Sequence, residues 1–300
     1  MPKSTKNAVT KVREHRLAIV VDSSACLPSP IHSNIPLRVV PMKLTLGDST
    51  FLDGVDLSSS AFYQTMRRNL KVPPVTSAPS PGAFLNAFRD VSKSASSILC
   101  LTVSPRFSSS YYSSRAAAMQ ASNELPDTEI SVIDTESAAG GHGLVALAAV
   151  RASERGGGLV QAISAARSVI ENVTLLAFLD TLYFVWKGGR VKAISYAGTA
   201  ALRIKPLFEL RRGEIFNIGR PRTTSRATEK LMRILEERAG SRRLHAAVMH
   251  GDSPELANEI RNKIENLFEC QEIYVSECSP VMGSHTGPGL VGVAFWSESL

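Results

Sequence analysis

The chain has 300 residues, 44% hydrophobic and 20% charged, an ordinary balance for a globular protein long enough to hold two domains. Formal net charge is +7, but residues 1–16 hold five basic side chains against Glu14; the rest of the chain is therefore near neutral and does not require a nucleic-acid partner. Four cysteines, at 26, 100, 270 and 278, form no Cys-x-x-Cys pair, which argues against a zinc knuckle and fits a reducing cytoplasm. The basic stretch 1–16 lacks an apolar segment of the secretory kind and reads as a disordered tail. No apolar run approaches the roughly 18 residues that span a bilayer. The longest candidate, 174–186, is interrupted by Asp180.

Residues 16–21 read as a short buried strand ended by Asp22-Ser23-Ser24. Residues 37–46 alternate well enough for a second strand, with Gly47-Asp48-Ser49 turning into 50–52. A helix is expected over 60–69. Residues 73–81, with four prolines among hydroxyls, read as a rigid loop. Ser80 then caps a helix with Pro81 at its first position. An apolar strand over 97–103 ends in Ser104-Pro-Arg-Phe-Ser-Ser-Ser110, followed by a helix over 111–122. A strand over 129–133 ends at Asp134-Thr135, and helices follow over 144–154 and 159–171.

The second half opens with a strand over 174–178 and an apolar run over 182–186 into Lys187-Gly188-Gly189-Arg190. A short helix is expected next. Strands over 204–210 and 214–219 flank Arg212-Gly213. The stretch 224–238 is amphipathic, with Ala227, Leu231, Ile234 and Leu235 on one face. A strand over 245–249, a helix over 255–267 and a strand over 272–275 lead to a turn-rich loop around His285, and 291–295 is the last strand.

Strands alternating with helices predict an α/β protein: a parallel-sheet N-terminal domain, 17–172, and a mixed C-terminal α/β domain, 173–300. Ligands of such sheets bind beyond the carboxyl ends of the strands. Three of those ends carry hydroxyl or carboxylate clusters: Asp22-Ser23-Ser24, Ser104 to Ser110, and Asp134-Thr135.

Several chemistries lack their parts. No Gly-x-Gly-x-x-Gly follows the first strand and no Gly-Lys-Ser/Thr is present, so neither phosphate cradle exists. Ser108, His285 and Asp22 can be named as a hydrolase set, but no Gly-x-Ser-x-Gly elbow supports them. A serine esterase with Ser108 as nucleophile is the rival reading. His245 and His250 fit a metal site or plain structural roles, and His142, between two glycines, is unassigned. Hydroxyl loops at strand ends leading into helices offer donors to an anion, or else cap those helices. For an anion, the donors of choice are Thr76, Ser77, Ser108 and Ser110, with His285 completing a carboxylate site. Gly283, Gly287, Pro288 and Gly289 shape the backbone around that histidine.

Seven motifs in order resemble the DegV family over residues 17–295, nearly the whole chain: Asp22-Ser23-Ser24-Ala-Cys-Leu27-Pro28, Thr76-Ser77-Ala78-Pro79-Ser80, Ser104 to Tyr111, Asp134-Thr135, Lys187-Gly188-Gly189-Arg190, Lys205-Pro206, and Gly283-Ser284-His285-Thr286-Gly287-Pro288-Gly289. The resemblance implies a two-domain α/β protein that holds one long-chain fatty acid in a tunnel between its domains, without catalytic activity of its own. It implies a role as the lipid-presenting subunit of a bacterial fatty acid kinase, whose catalytic subunit phosphorylates the bound carboxylate to an acyl phosphate. A lipid-dependent regulatory module is the alternative. By motif, the carboxylate-binding residues fall on Thr76, Ser108 and His285, and the kinase-docking region on Arg220 and Arg222. No cofactor or metal is implied, and transient contact with a membrane surface is compatible. One departure stands out: Ser108-Ser109-Ser110 replaces the family's Ser-Gly-Thr. Phe51, Phe84, Phe107, Phe178, Leu182, Phe184 and Phe208 are candidates for the tunnel wall.

Overall fold

The computed structural model describes residues 15–28, 34–68, 73–190, 204–240 and 243–298. In chain order the elements are β1 (His15–Asp22), β2 (Leu37–Val40), β3 (Lys43–Leu46), β4 (Ser49–Leu52), α1 (Ser59–Arg68), β5 (Val75–Ser77), α2 (Pro81–Ser92), β6 (Ala95–Thr102), α3 (Ser110–Glu124), β7 (Glu129–Asp134), α4 (Ala139–Glu154), α5 (Leu159–Asn172) and β8 (Thr174–Phe178). They continue with α6 (Tyr183–Gly188), β9 (Leu207–Arg211), β10 (Glu214–Gly219), α7 (Thr224–Ala239), β11 (Leu244–His250), α8 (Pro254–Leu267), β12 (Cys270–Glu277), α9 (Pro280–Thr286) and β13 (Val291–Ser297). The tail expected over 1–16 lies outside the described residues up to 14, as does the short helix expected after Arg190.

Three sheets result. The first is parallel, in the order β2-β1-β6-β7. The second is mixed, in the order β10-β9-β8-β13-β11-β12, antiparallel except for the β11–β12 pair. The third is a small antiparallel sheet, β4-β3-β5. The fold class is therefore mixed α/β, with a parallel N-terminal sheet and a mixed C-terminal one.

Two expectations are corrected. The run 37–46 is two strands in two sheets: β2 pairs with β1, whereas β3 pairs with β4 and β5. Pro41 sits at the break, where it has no N–H to offer a ladder. Residues 75–77, expected as loop, form β5, because Val75-Thr76-Ser77 finds a partner in β3. The apolar run 182–186 is mostly the short helix α6.

Helix α4 joins the layers. It is buried on nearly every face, and its Val145, Ala146 and Ala149 share one core with Ile19 and Leu99 of the parallel sheet and Ala247 and Ala294 of the mixed sheet. Gly140 permits the approach: a Cβ there would lie 2.9 Å from Ala247 Cβ and 2.6 Å from Met249 Sδ. Beside this core the layers part, and a cavity opens.

Candidate functional site

The cavity has a volume of about 650 Å³. Loops beyond the strands of the parallel sheet, β5 of the small sheet and strands of the mixed sheet wall it. Val103 and Phe107 come from the end of β6 and its loop, and Leu175, Phe208, Met249 and Leu290 come from the C-terminal half. Thr76, Ser77, Ser108 and His285 also line it, so residues up to 209 positions apart in sequence share one space.

Thr76 is the middle residue of β5. Strand alternation turns Thr76 inward and leaves Val75 and Ser77 exposed. His285 sits in the last turn of α9. This corrects the turn-rich loop expected there: Ser279 accepts from Met282 N–H as N-cap and Pro280 takes the first helical position. That start signal was legible in Ser279-Pro280 and was overshadowed by the glycines that follow.

The Thr76 Oγ1 and His285 Nε2 atoms are 2.8 Å apart. Burial pushes the His285 pKa down to about 4, and the nearby Arg190 guanidinium adds to the effect. The ring is thus neutral at pH 7. Its Nδ1 is buried without a hydrogen-bond partner among the described residues. Gly188 of α6 packs flat against that edge; a Cβ there would lie 2.5 Å from Nδ1. Arg190 also lines the cavity. The Lys187-Gly188-Gly189-Arg190 motif carried both residues, but their relation to His285 is tertiary and was not readable.

Ser108 belongs to the loop between β6 and α3. That loop is folded on itself: Ser104 O accepts from Phe107 N–H at 2.9 Å and from Ser108 N–H at 3.3 Å. The Ser108 and Ser110 hydroxyls are 3.0 Å apart. Ser108 and Ser109 face the cavity, while Ser110 is fully buried behind them. Ser109 has φ −78°, so this position holds an ordinary side chain without strain. Among the described residues the side-chain partner of Ser108 is Ser110, and His285 pairs with Thr76. Asp22 bonds Ser24 and the Val103 N–H and lies beside His142. The three residues of the hydrolase reading are therefore not assembled into a relay.

The aromatic candidates divide. Phe107 and Phe208 line the cavity. Phe84 fills the core under the parallel sheet, Phe178 fills the core between the mixed sheet, α7 and α8, and Phe184 packs beside α1 and α9. Leu182 belongs to the central core, and Phe51 is half-buried on β4; neither lines the cavity. Arg220 and Arg222 are exposed in the link between β10 and α7, away from the cavity lining. His245 stacks on Trp296 with centroids 4.0 Å apart and contacts Glu272 and Glu298. His250 accepts from Ser253 N–H.

Two α/β layers part around a largely apolar cavity whose wall carries hydroxyls, a neutral imidazole and a guanidinium, chemistry able to hold an apolar chain ended by an anion. The DegV family model, described as "Uncharacterised protein, DegV family", matches residues 16–298. The chain belongs to the DegV family. It is 33% identical to a DegV domain-containing protein of Streptomyces coelicolor, over 94% of this chain and 99% of that one. A solved DegV family protein of Thermus thermophilus, described as fatty acid binding, superposes with a TM-score of 0.86 at 27% identity, covering 94% of this chain and 100% of that one. A stearic acid-binding protein of Eubacterium ventriosum shares the fold, with a TM-score of 0.84 at 24% identity, 94% of this chain and 98% of that one.

Proposed function

We propose that this protein binds one long-chain fatty acid in the cavity between an N-terminal unit, 17–172, and a C-terminal unit, 173–300, with the carboxylate held by Thr76, Ser108 and His285. The observation that carries the reading is the 2.8 Å Thr76–His285 pair on the wall of a largely apolar cavity of about 650 Å³. Each buried CH₂ of an acyl chain contributes about 0.8 kcal/mol, so the chain supplies most of the gross affinity. A buried carboxylate needs donors. Thr76, Ser77 and Ser108 offer hydroxyls, with Ser110 behind Ser108 supporting it, and Arg190 offers positive charge. The Thermus relative's fatty acid binding supports the same reading.

In this reading the protein acts in the cytoplasm as a presenting subunit. A separate kinase docks near Arg220 and Arg222 and phosphorylates the carboxylate to an acyl phosphate, while the chain itself supplies no catalysis. Lipid extracted from the purified protein and analysed by mass spectrometry is expected to contain acyl chains at about one per protein. Their absence from well-folded protein that also fails to take up added palmitate would exclude the proposal. Ser108→Ala and His285→Ala are expected to slow acyl phosphate formation with the fold intact, and Arg220→Glu with Arg222→Glu to weaken it through the kinase alone.

A further inference from the structure

Helix α9 carries His285 and spans seven residues, too few to hold itself together without outside support. Its last turn is held by the Thr76–His285 contact. Its first turn is held by Asp53, a residue that is 2% exposed and follows β4 directly. One Asp53 carboxylate oxygen accepts from Val281 N–H at 3.0 Å. The other accepts from the Ser23 hydroxyl at 2.6 Å, and that hydroxyl in turn accepts from Met42 N–H at 3.1 Å. A negative charge at this end also suits the helix dipole.

Both anchors belong to one sheet. Asp53 N–H donates to Met42 O at 2.9 Å, extending the β3–β4 ladder beyond its Lys43↔Leu52 pair. Thr76 pairs with Leu44 on the other side of β3. The small sheet therefore grips α9 at its first turn through Asp53 and at its last turn through Thr76. A ligand carboxylate that takes the Thr76 hydroxyl or the imidazole for itself releases the second grip. Asp53 then has to keep the helix in place while the site is occupied.

We propose that Asp53 is the positioning residue for His285: it fixes α9 against the β4-β3-β5 sheet and sets where the imidazole meets Thr76 and an incoming carboxylate. Its value to ligand binding rests on the fatty acid reading above; its effect on the position of the ring does not. Met42 and Val281, which the same bonds join, both line the cavity, so the link also fixes the separation of two wall segments.

Titration of the His285 ring by NMR in lipid-free protein tests the positioning without any ligand. In Asp53→Ala the ring is expected to gain water, and its pKa to rise from about 4 by about one unit toward the free value. Palmitate affinity of the same variant is expected to fall about tenfold. Asp53→Asn keeps an oxygen for Val281 N–H and turns its amide to the Ser23 hydroxyl, so it is expected to recover the low titration and most of the affinity. Ser23→Ala should shift both readouts in the direction of Asp53→Ala, but less. A folded Asp53→Ala with wild-type titration and affinity overturns the proposal. Where Asp53→Ala does not fold, an unmoved titration in Ser23→Ala overturns it. A titration that moves while the wild type binds no palmitate leaves Asp53 as the positioning residue and removes the fatty acid.

Discussion

His142 and His285 occupy similar sequence, each with glycines close by, and similar environments by the usual measures. Each has Nε2 bonded, to Leu101 O at 3.2 Å and to Thr76 Oγ1 at 2.8 Å, and each has a buried Nδ1 without a partner among the described residues. Burial lowers the pKa of both. The difference lies in what surrounds them. His142 is 0% exposed in the first turn of the core helix α4, donates to a backbone carbonyl and faces Asp22 at 4.0 Å, whose oxygens already serve Ser24 and Val103. His285 faces a cavity, its partner is a hydroxyl able to donate or accept, and its neighbouring charge is a cation. A shifted pKa therefore does not separate a site from a core in this molecule. An exchangeable partner beside empty space does.

The strongest way to break that comparison is to delete the core ring. His142→Ala is expected to cost about 3 kcal/mol of unfolding free energy in urea, because α4 cannot collapse around the void. The folded fraction should bind palmitate within about twofold of wild type, since His142 bonds Leu101 and not Thr76, Ser108 or His285, and changes without shared partners usually add. A stable His142→Ala that loses the lipid would place His142 in the site and dissolve the contrast.

That pair of histidines also marks how far sequence reasoning reached. Helix α7 was readable because Ala227, Leu231, Ile234 and Leu235 lie on one face and are all buried. β6 was readable as a continuous apolar run and β11 as a short strand. Of the small sheet the β3–β4 hairpin was readable from its Gly47-Asp48-Ser49 turn, but β5 was not, because it is three residues long and depends on a partner some thirty positions away. Thr76, Ser108 and His285 were readable as candidates because hydroxyl loops and a glycine-flanked histidine mark positions able to meet an anion, and all three line the cavity. The apolar wall was not: Phe208 on the cavity and Phe178 in the core have the same local pattern, and only the parting of two layers distinguishes them. Asp53 was missed for a related reason. It looks like any acidic turn residue until α9 is seen to start on it.

Gly188→Ala sharpens the comparison from the other side. The new Cβ would lie 2.5 Å from His285 Nδ1, so the ring must move or α6 must retreat, at about 1–3 kcal/mol. Palmitate affinity is expected to fall at least as far as in His285→Ala, for which about tenfold is expected from the loss of one hydrogen-bonding partner of a carboxylate. The His142 ring resonances should stay where they are. Isothermal titration and NMR spectra of the same samples read both effects. Wild-type affinity in Gly188→Ala would show that the imidazole's position is irrelevant to the ligand.

The smallest effect separates the two rings by pH. The folded pKa of His285, about 4, lies below its ordinary value of 6.5, so on acidification the unfolded chain takes up the proton first. Stability contributed by the neutral ring is complete above about pH 6.5 and is lost as pH falls through 4. His142, His245 and His250 are lowered as well and act in the same sense, whereas Asp53, Asp134 and Glu277, raised by burial, act in the opposite one. His285→Gln removes one of these contributions and should flatten the slope by up to one proton, leaving the rest. A bound fatty acid should do something the variant cannot. Its carboxylate beside the ring favours the imidazolium, so the His285 titration should move upward in loaded protein while that of His142, facing the same Asp22 in both states, does not. Equal movement of both rings, or of neither, would mean that the carboxylate lies elsewhere in the cavity.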